Sequence, residues 1–291
     1  MLEGLIIEII SNLFYVQVGD DIYTCTSKGK FKIKEEMPVV GDRVQIELID
    51  ENKKTGAINS IYKRNSYIKR PKIANVEQMI LVISLDSPKP DYLLLDKQLA
   101  YLEFLNILPI ICFNKVDLIE DKIHIEEYKK IGYKVIETVA NKNIGIEDVT
   151  KILKGKISAF SGNSGVGKST LINAIFNKQI AQEGNISKKN QRGKNTTTSV
   201  KLYNLCEDTY IADTPGFSTF SIEEIPYREL SVYFKEFKPY LEECEFVGCS
   251  HIKEEKCGIK KALKQDKISI NRYENYKKIY EELKDREEHK W

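Results

Sequence analysis

Residues 162–170, GNSGVGKST, have the residue types and spacing that bind phosphate groups. They match the pattern G-x-x-x-x-G-K-[ST], in which backbone N–H groups surround phosphate oxygens, the lysine reaches the β- and γ-phosphates and the hydroxyl binds Mg²⁺. The strand-like stretch ISAFS precedes them and the helix-like stretch LINAIFN follows, as the motif requires. We predict that Lys168 is also catalytic and that Ser169 is also a magnesium ligand. The predicted nucleotide contacts are Gly162, Asn163, Ser164, Gly165, Val166, Gly167, Lys168, Ser169 and Thr170.

A second stretch, NKVD at residues 114–117, follows the apolar run IICF. The Asp117 carboxylate can accept hydrogen bonds from both N1–H and the 2-amino group of guanine, whereas adenine lacks that amino group. Asn114 is expected to bond the base and fix the loop, and the Lys115 side chain to cover the ring. An exposed turn is the alternative interpretation, but the position after a buried strand favours guanine recognition.

A third motif, DTPG at residues 213–216, follows the strand-like stretch TYIA. Downstream of a phosphate-binding loop, it is typical of a sensor of the γ-phosphate. Asp213 would hold Mg²⁺ through a water molecule, and the Gly216 N–H would contact the γ-phosphate. We predict both residues as parts of the catalytic site.

The segment between the last two motifs, residues 182–198, is polar and contains glycine, as expected of a switch loop. Its threonines can bind Mg²⁺. We favour Thr197 or Thr198 as nucleotide contacts and place Thr198 at the magnesium ion, with the choice between the two left open. A solvated linker is the alternative interpretation of this segment.

The order of these motifs is the reverse of that in an ordinary GTPase, because the guanine motif precedes the phosphate-binding loop. A parallel sheet places its ligand loops at the carboxyl ends of neighbouring strands whatever the connectivity, so a circularly permuted chain keeps the site. The permutation leaves DTPG as the last motif, directly before the cysteine-bearing region. We hypothesise that hydrolysis moves this C-terminal region through the backbone.

Four side chains near the C-terminus have the composition of a zinc site: Cys244, Cys249, His251 and Cys257. Thiolates with one imidazole suit a closed tetrahedral Zn²⁺, which leaves no open position for catalysis. Unrelated buried cysteines are the alternative, but the flanking sequence is too polar for a protein core. We therefore predict one structural zinc ion per chain.

The elements that must position these residues fall into three predicted domains. Residues 1–64 consist of short alternating segments separated by turns, which predicts an all-β barrel. In residues 65–219, buried apolar runs alternate with helix-length stretches, which predicts a parallel sheet with helices on both faces. Residues 220–291 are charged and mainly helical, and they contain the predicted zinc site.

The 45 Lys and Arg against 43 Asp and Glu give a net charge of only +2, which argues against a generally basic coat for nucleic acid. Local basic faces remain candidates for RNA binding, with solvated surface as the alternative. No apolar run reaches the length of a membrane helix, and the first residues lack a signal-peptide pattern. We therefore expect a cytoplasmic protein without a membrane partner. We also expect the protein to be a monomer. The candidate RNA-binding lysines are Lys28, Lys30, Lys32 and Lys34 in the barrel and Lys260, Lys261, Lys264 and Lys267 near the C-terminus.

The barrel, the motif order NKVD, GNSGVGKS, DTPG and the C-x4-C-x-H-x5-C cluster together resemble the RsgA family, also called YjeQ or YloQ, over essentially the whole chain. The resemblance implies an OB-fold barrel, a circularly permuted GTPase domain and a zinc domain. It also implies a Mg²⁺-dependent GTPase of late small (30S) ribosomal subunit maturation. The partners it implies are GTP or GDP and the small subunit with its rRNA, which would stimulate hydrolysis and so drive release.

Two positions differ from the family pattern. Asn195 stands where the family usually has His, and Val139-Ala140 stands where a Ser-Ala pair commonly supports guanine. Asn195 is retained as a catalytic candidate because it can bond a water molecule, although it cannot take a proton near neutral pH. An RNA-binding module with a structural nucleotide is the alternative function, while an ATP-dependent kinase or transporter subunit conflicts with NKVD and with the absence of further catalytic motifs.

Overall fold

The computed structural model describes residues 1–27, 37–183, 200–213 and 222–289. In these ranges the chain forms a β-barrel, an α/β layer and a mainly helical C-terminal region, as the sequence predicts. None of the helices in the described ranges combines the length and the apolar character that a membrane span requires.

The N-terminal barrel closes on itself. Strands β1 and β2 pair antiparallel, as do β2 with β3, β1 with β4 and β4 with β5, and a parallel β3–β5 pair completes the ring. Alternate side chains such as Ile6, Val16 and Ile58 fill its interior, which is the period-two burial expected of strands. The strands are β1 (Leu2–Ile10), β2 (Leu13–Val18), β3 (Asp21–Ser27), β4 (Arg43–Asp50) and β5 (Thr55–Ile61).

A short hairpin leads from the barrel into a second group of strands ordered β10-β9-β8-β11-β13-β12. The first five of these run parallel, and β12 is antiparallel to β13. The hairpin strands are β6 (Tyr67–Lys69) and β7 (Lys72–Ala74). The others are β8 (Gln78–Ser84), β9 (Leu108–Asn114), β10 (Lys134–Thr138), β11 (Ile157–Ser161), β12 (Lys201–Cys206) and β13 (Thr209–Asp213).

Helices cover both faces of this sheet. Along β8, Met79 and Leu81 join the core formed with α1 and α2, whereas Ile80 and Val82 join the core formed with α3 and α4. Burial on both faces explains why β8 is continuously apolar. The helices are α1 (Tyr92–Phe104), α2 (Ile123–Ile131), α3 (Ile146–Leu153) and α4 (Lys168–Glu183).

The barrel and the α/β layer share one sheet. Strand β1 pairs antiparallel with β12 at Glu8 and Lys201, and the Lys201 Nζ lies 2.6 Å from Glu8 Oε2. The barrel is therefore joined directly to the hairpin that ends at Asp213.

The C-terminal region has its own core, built around Phe234, Phe237 and Tyr276. It packs on α1, whose Ala100 and Tyr101 belong to the same core. Two 3₁₀ segments, Tyr227–Tyr233 and Lys238–Glu243, precede helices α5 (Gly258–Lys264) and α6 (Ile270–Glu288).

Candidate nucleotide-binding site and candidate metal centre

The buried side chain of Asn114 joins three loops at the carboxyl ends of neighbouring strands. Its Nδ2 donates to the carbonyl oxygen of Val166 in the phosphate-binding loop at 2.9 Å. Its Oδ1 accepts from the Ala140 N–H at 3.0 Å and from Thr138 Oγ1 at 3.1 Å, both at the end of β10. The structure therefore brings the motifs after β9 and β11 together, as the permutation argument predicts.

The phosphate-binding loop follows β11, and α4 begins at its Lys168. Gly165 and Gly167 have φ of +82° and +94°, a conformation that favours glycine. A Cβ on Gly167 would lie 2.2 Å from Asn114 Nδ2, so the Asn114 side chain packs directly on the loop backbone. The amide groups at the start of α4 provide the partial positive charge that suits phosphate.

The predicted nucleotide contacts in this loop differ in exposure. Ser164, Gly165, Ser169 and Thr170 are exposed, whereas Val166 is buried in the sheet core. Val166 can therefore offer only its backbone to a ligand. The hydroxyl groups of Ser169 and Thr170 lie in the first turn of α4.

Lys115 connects the turn at residues 114–117, which is predicted to bind the base, to the phosphate-binding loop. Its backbone has φ +62°, and its Nζ donates to the carbonyl oxygen of Gly165 at 2.8 Å and to that of Ser87. The aliphatic part of the side chain therefore spans the space between the two motifs, as is needed to cover a base.

Asp117 lies in a 3₁₀ turn, Val116–Leu118, with its side chain 27% exposed. Lys142 Nζ donates to Asp117 Oδ2 at 2.7 Å, and this hydrogen bond lowers the pKa of the Asp117 carboxyl group. The carboxylate is thus ionised and accessible. Lys142 and Thr138 are site residues that the sequence motifs do not identify.

Val139 and Ala140 directly follow β10, next to this turn. The Val139 side chain is buried, and its N–H donates to the carbonyl oxygen of Ile144 at 3.1 Å. Ala140 supports Asn114 through its N–H, which needs no particular side chain.

The remaining predicted nucleotide residues are only partly described. Asp213 ends β13, which pairs in parallel with β11, so the backbone of the sensor strand reaches the same edge of the sheet as the phosphate-binding loop. Gly216, Asn195, Thr197 and Thr198 lie outside the described residues, as do the barrel lysines at 28–34.

Cys244, Cys249, His251 and Cys257 converge as the sequence predicts, with all four ligand atoms within 4.8 Å of one another. His251 Nδ1 lies 3.5 Å from Cys244 Sγ and 3.4 Å from Cys257 Sγ, and the two sulfur atoms are 4.0 Å apart. Tetrahedral ligands of zinc lie about 3.5–3.8 Å from each other, so the cluster fits the ion. Burial lowers the pKa of His251 and favours the neutral imidazole that binds metal.

Helix α6 holds the backbone around this cluster. Tyr273 Oη donates to the carbonyl oxygen of His251 at 2.7 Å, and Tyr276 Oη donates to that of Ser250 at 3.0 Å. The face of α6 that contacts the C-terminal core therefore also holds the backbone at His251 of the candidate metal cluster.

A family described as RsgA GTPase matches residues 61–223, and one described as RsgA N-terminal domain matches residues 3–58.

Relatives and solved structures match over nearly the full chain. The small ribosomal subunit biogenesis GTPase RsgA of Ruminiclostridium cellulolyticum is 43% identical, with 97% of this chain and 94% of that protein covered. The protein of the same name from Alkaliphilus metalliredigens is 41% identical over 98% of each chain. The crystal structure of YjeQ from Thermotoga maritima has a TM-score of 0.84 and 33% identity, with 97% of this chain and 98% of that chain covered.

A second structure, YloQ, is described as a circularly permuted GTPase. It has a TM-score of 0.81 and 33% identity, with 98% of this chain and 96% of that chain covered. The comparisons confirm the family resemblance, the fold class and the circular permutation predicted from the motif order.

Proposed function

We propose, for a chain that belongs to the RsgA GTPase family, that its GTP hydrolysis serves the biogenesis of the small ribosomal subunit. Hydrolysis of GTP is the activity for which the family and its relatives are named. The observation that carries the assignment is the buried Asn114, which holds the phosphate-binding loop, the guanine motif and the end of β10 in one site. The proposed partner implies a cytoplasmic protein.

The nucleotide is proposed to lie along the carboxyl edge of the sheet, with its guanine at Asp117 and its phosphates on the N–H groups of residues 162–170. Lys168 would contact the β- and γ-phosphates, and Ser169 and Thr198 would hold Mg²⁺. Bound Mg²⁺ supplies positive charge to the phosphate oxygens as negative charge develops on them. Asp213 would support the ion through water.

We propose that the isolated chain lacks a side chain that fully orients the attacking water molecule. Phe217 follows Gly216 in the sequence, and an aromatic ring cannot orient a water molecule as a glutamine does. Asn195 can bond a water molecule but cannot accept its proton. We therefore propose slow intrinsic hydrolysis that the small subunit accelerates, followed by release of the protein in its GDP state.

Contacts just beyond the sensor support coupling to the rest of the molecule. Glu224 accepts a hydrogen bond from Tyr101 Oη of α1 at 3.0 Å and lies 2.6 Å from Lys69 Nζ in the hairpin after the barrel. Glu223 pairs with Arg286 of α6. A movement of the sensor would thus act on three parts of the chain, in addition to the backbone route predicted from the motif order.

Lysines of the C-terminal region are also candidates for contact with RNA. Fewer of them are available for such contacts than the four that the sequence suggests. Lys261 pairs with Glu243 at 2.9 Å, and the Lys267 ammonium lies 5.9 Å from the centre of the Tyr240 ring. Lys260 and Lys264 have no acidic partner among the described residues, so they are the better candidates for phosphate contacts.

The partner is tested by co-sedimentation with purified small subunits, with the protein loaded with GDP or with a non-hydrolysable GTP analogue. We expect tighter binding of the triphosphate state, because ordering the switch segments around the γ-phosphate fixes the flanking surface. Reversing the charge of Lys30 and Lys32 should weaken binding and reduce its dependence on salt. Equal retention of both nucleotide states, or equal binding to large subunits, would contradict the proposal.

A further inference from the structure

Lys142 lies opposite the guanine motif without belonging to any of the sequence motifs. It ends the 3₁₀ turn Ala140–Lys142 directly after β10, and the next residue, Asn143, closes the turn with φ +57°. Its Nζ reaches Asp117 Oδ2 at 2.7 Å, although its side chain is 58% exposed. It is the one basic side chain paired with Asp117 in the described part of the chain.

The turn that carries Lys142 is fixed on the turn that carries Asp117. Strands β9 and β10 are parallel neighbours with Asn114 opposite Thr138. Asn114 Oδ1 then accepts from both Thr138 and the Ala140 N–H, so the backbone two residues before Lys142 is tied to the guanine motif. The ion pair therefore spans two turns that already hold a defined relative position.

We propose that Lys142 is a positioning residue for guanine recognition, with its ammonium fixing the Asp117 carboxylate in the orientation that accepts N1–H and the 2-amino group. The proposal rests on the guanine role proposed above for Asp117. A carboxylate has about four lone-pair positions, and the lysine occupies one of those on Oδ2. The backbone N–H of Asp117 also bonds the carboxylate, and two of the four positions then remain for the two bonds to the base.

An orienting role and a simple surface ion pair have different consequences for the ligand. If Lys142 orients the carboxylate, its removal weakens the bond to the 2-amino group more than it weakens contacts to the phosphates. If the pair is only a surface contact, all nucleotides are affected equally or not at all. Inosine diphosphate separates the two cases because it has N1–H but lacks the 2-amino group.

The experiment measures the affinities for GDP and inosine diphosphate of the full chain and of three variants: Lys142→Gln, Lys142→Arg and the control Lys151→Gln. Lys151 is an exposed lysine of α3 that pairs with Glu147. We expect Lys142→Gln to weaken GDP binding about 2- to 5-fold, the scale of a partly exposed ion pair. The preference for GDP over inosine diphosphate, expressed as the ratio of the two affinities, should fall. Lys142→Arg should restore the ratio, and Lys151→Gln should leave it unchanged.

An unchanged ratio in Lys142→Gln, or equal weakening of both ligands, would overturn the role of Lys142. The unmodified protein tests the premise separately. If it bound GDP and inosine diphosphate equally well and did not prefer GDP to ADP, the guanine role of Asp117 would be wrong, and the Lys142 proposal would fail with it. Discrimination by the unmodified protein that Lys142→Gln retains would overturn the Lys142 proposal alone.

Discussion

Asn114 makes three hydrogen bonds from one buried amide, and these bonds hold the proposed base and phosphate sites at a fixed separation. A shorter side chain would leave the Val166 carbonyl and the Ala140 N–H without this partner. Each buried polar group left unpaired costs about 1–3 kcal/mol. Asn114 is therefore expected to support nucleotide binding through the loops as well as through any contact with the base.

Asp117→Asn should exchange the base preference of the protein. The amide cannot accept hydrogen bonds from both guanine donors. A hydrogen bond to a charged group contributes about 1.5–3 kcal/mol, so GTP affinity should fall by a factor of about ten or more. Xanthosine triphosphate should gain affinity because its 2-oxo group can accept from the new amide. Competition binding with GTP, xanthosine triphosphate and ATP measures the change.

The same competition binding, measured on the unmodified protein, is the control for the change in base preference. Equal binding of ATP and GTP there would contradict the assigned role of Asp117. So would an Asp117→Asn variant that retains full GTP affinity.

The sequence predicts Asn114 and Asp117 because NKVD follows an apolar strand, and it predicts the phosphate-binding loop because residues 162–169 match G-x-x-x-x-G-K-[ST] between a strand and a helix. It does not predict Lys142 or Thr138. Their positions depend on the register between β9 and β10 and on the turn after β10, which local residue patterns do not specify.

At the scale of elements, α6 connects the candidate zinc cluster to the α/β layer. Arg272 of α6 is buried, and it donates to Glu236 Oε1 at 2.6 Å and to Asp96 of α1. Asp96 also accepts from Tyr128 of α2 at 2.8 Å and from Asn275 at 2.7 Å. Burial raises the pKa of Asp96, and its hydrogen bonds with Arg272, Asn275 and Tyr128 counter that effect.

Arg272→Met should strongly destabilise the protein, because it leaves two buried carboxylates without their cation. Loss of one partner from a buried ion pair costs about 3–5 kcal/mol. The free energy of unfolding, measured by urea denaturation, should fall by this amount. Lys284→Met is the matched control, since Lys284 forms an exposed pair with Glu288 on the same helix. Equal stability of the two variants would show that the buried network does not hold the regions together.

Cys249→Ser should lower the zinc content of the protein and destabilise residues 220–291, since three ligands bind the ion less tightly than four. Affinity for guanine nucleotides should remain close to that of the unmodified protein because the cluster lies outside the nucleotide site. Metal analysis and hydrogen exchange provide the two measurements. Cys206→Ser is the control, because Cys206 lies in β12 outside the cluster. Full zinc occupancy in Cys249→Ser would contradict the assignment.

The sequence predicts the Cys/His cluster from the spacing of its four residues, and the spacing of Tyr273, Tyr276 and Tyr280 by three and four residues predicts one shared face of a helix, because both are local patterns. Tyr273 and Tyr276 are buried as their helical spacing predicts. Their hydrogen bonds to the backbone of Ser250 and His251 are not predictable from that spacing, since they depend on how α6 packs on the cysteine loop.

At the scale of the whole molecule, the sensor strand lies between two connected regions. The β12–β13 hairpin pairs with barrel strand β1 through Glu8 and Lys201. The segment after the sensor contacts α1, the β6–β7 hairpin and α6 through Glu223 and Glu224. We therefore propose that a change at the γ-phosphate is transmitted toward both ends of the chain.

The sequence predicts three domains and the permuted motif order, but it does not predict this connection. Glu8 and Lys201 are far apart in the chain, and no periodicity links them. The proposed boundary at residue 64 therefore divides one continuous sheet, and the boundary at residue 219 is crossed by the Lys69–Glu224 and Arg272–Asp96 ion pairs.

We propose that the small ribosomal subunit completes the GTPase site, and GTP turnover measured as purified small subunits are added tests this role directly. Phosphate release should be slow in the protein alone and should rise with subunit concentration until it saturates. Large subunits and DNA should give no such rise, and Lys168→Ala should abolish it. Turnover that stays at the basal rate, or that rises equally with large subunits or DNA, would contradict this role of the small subunit.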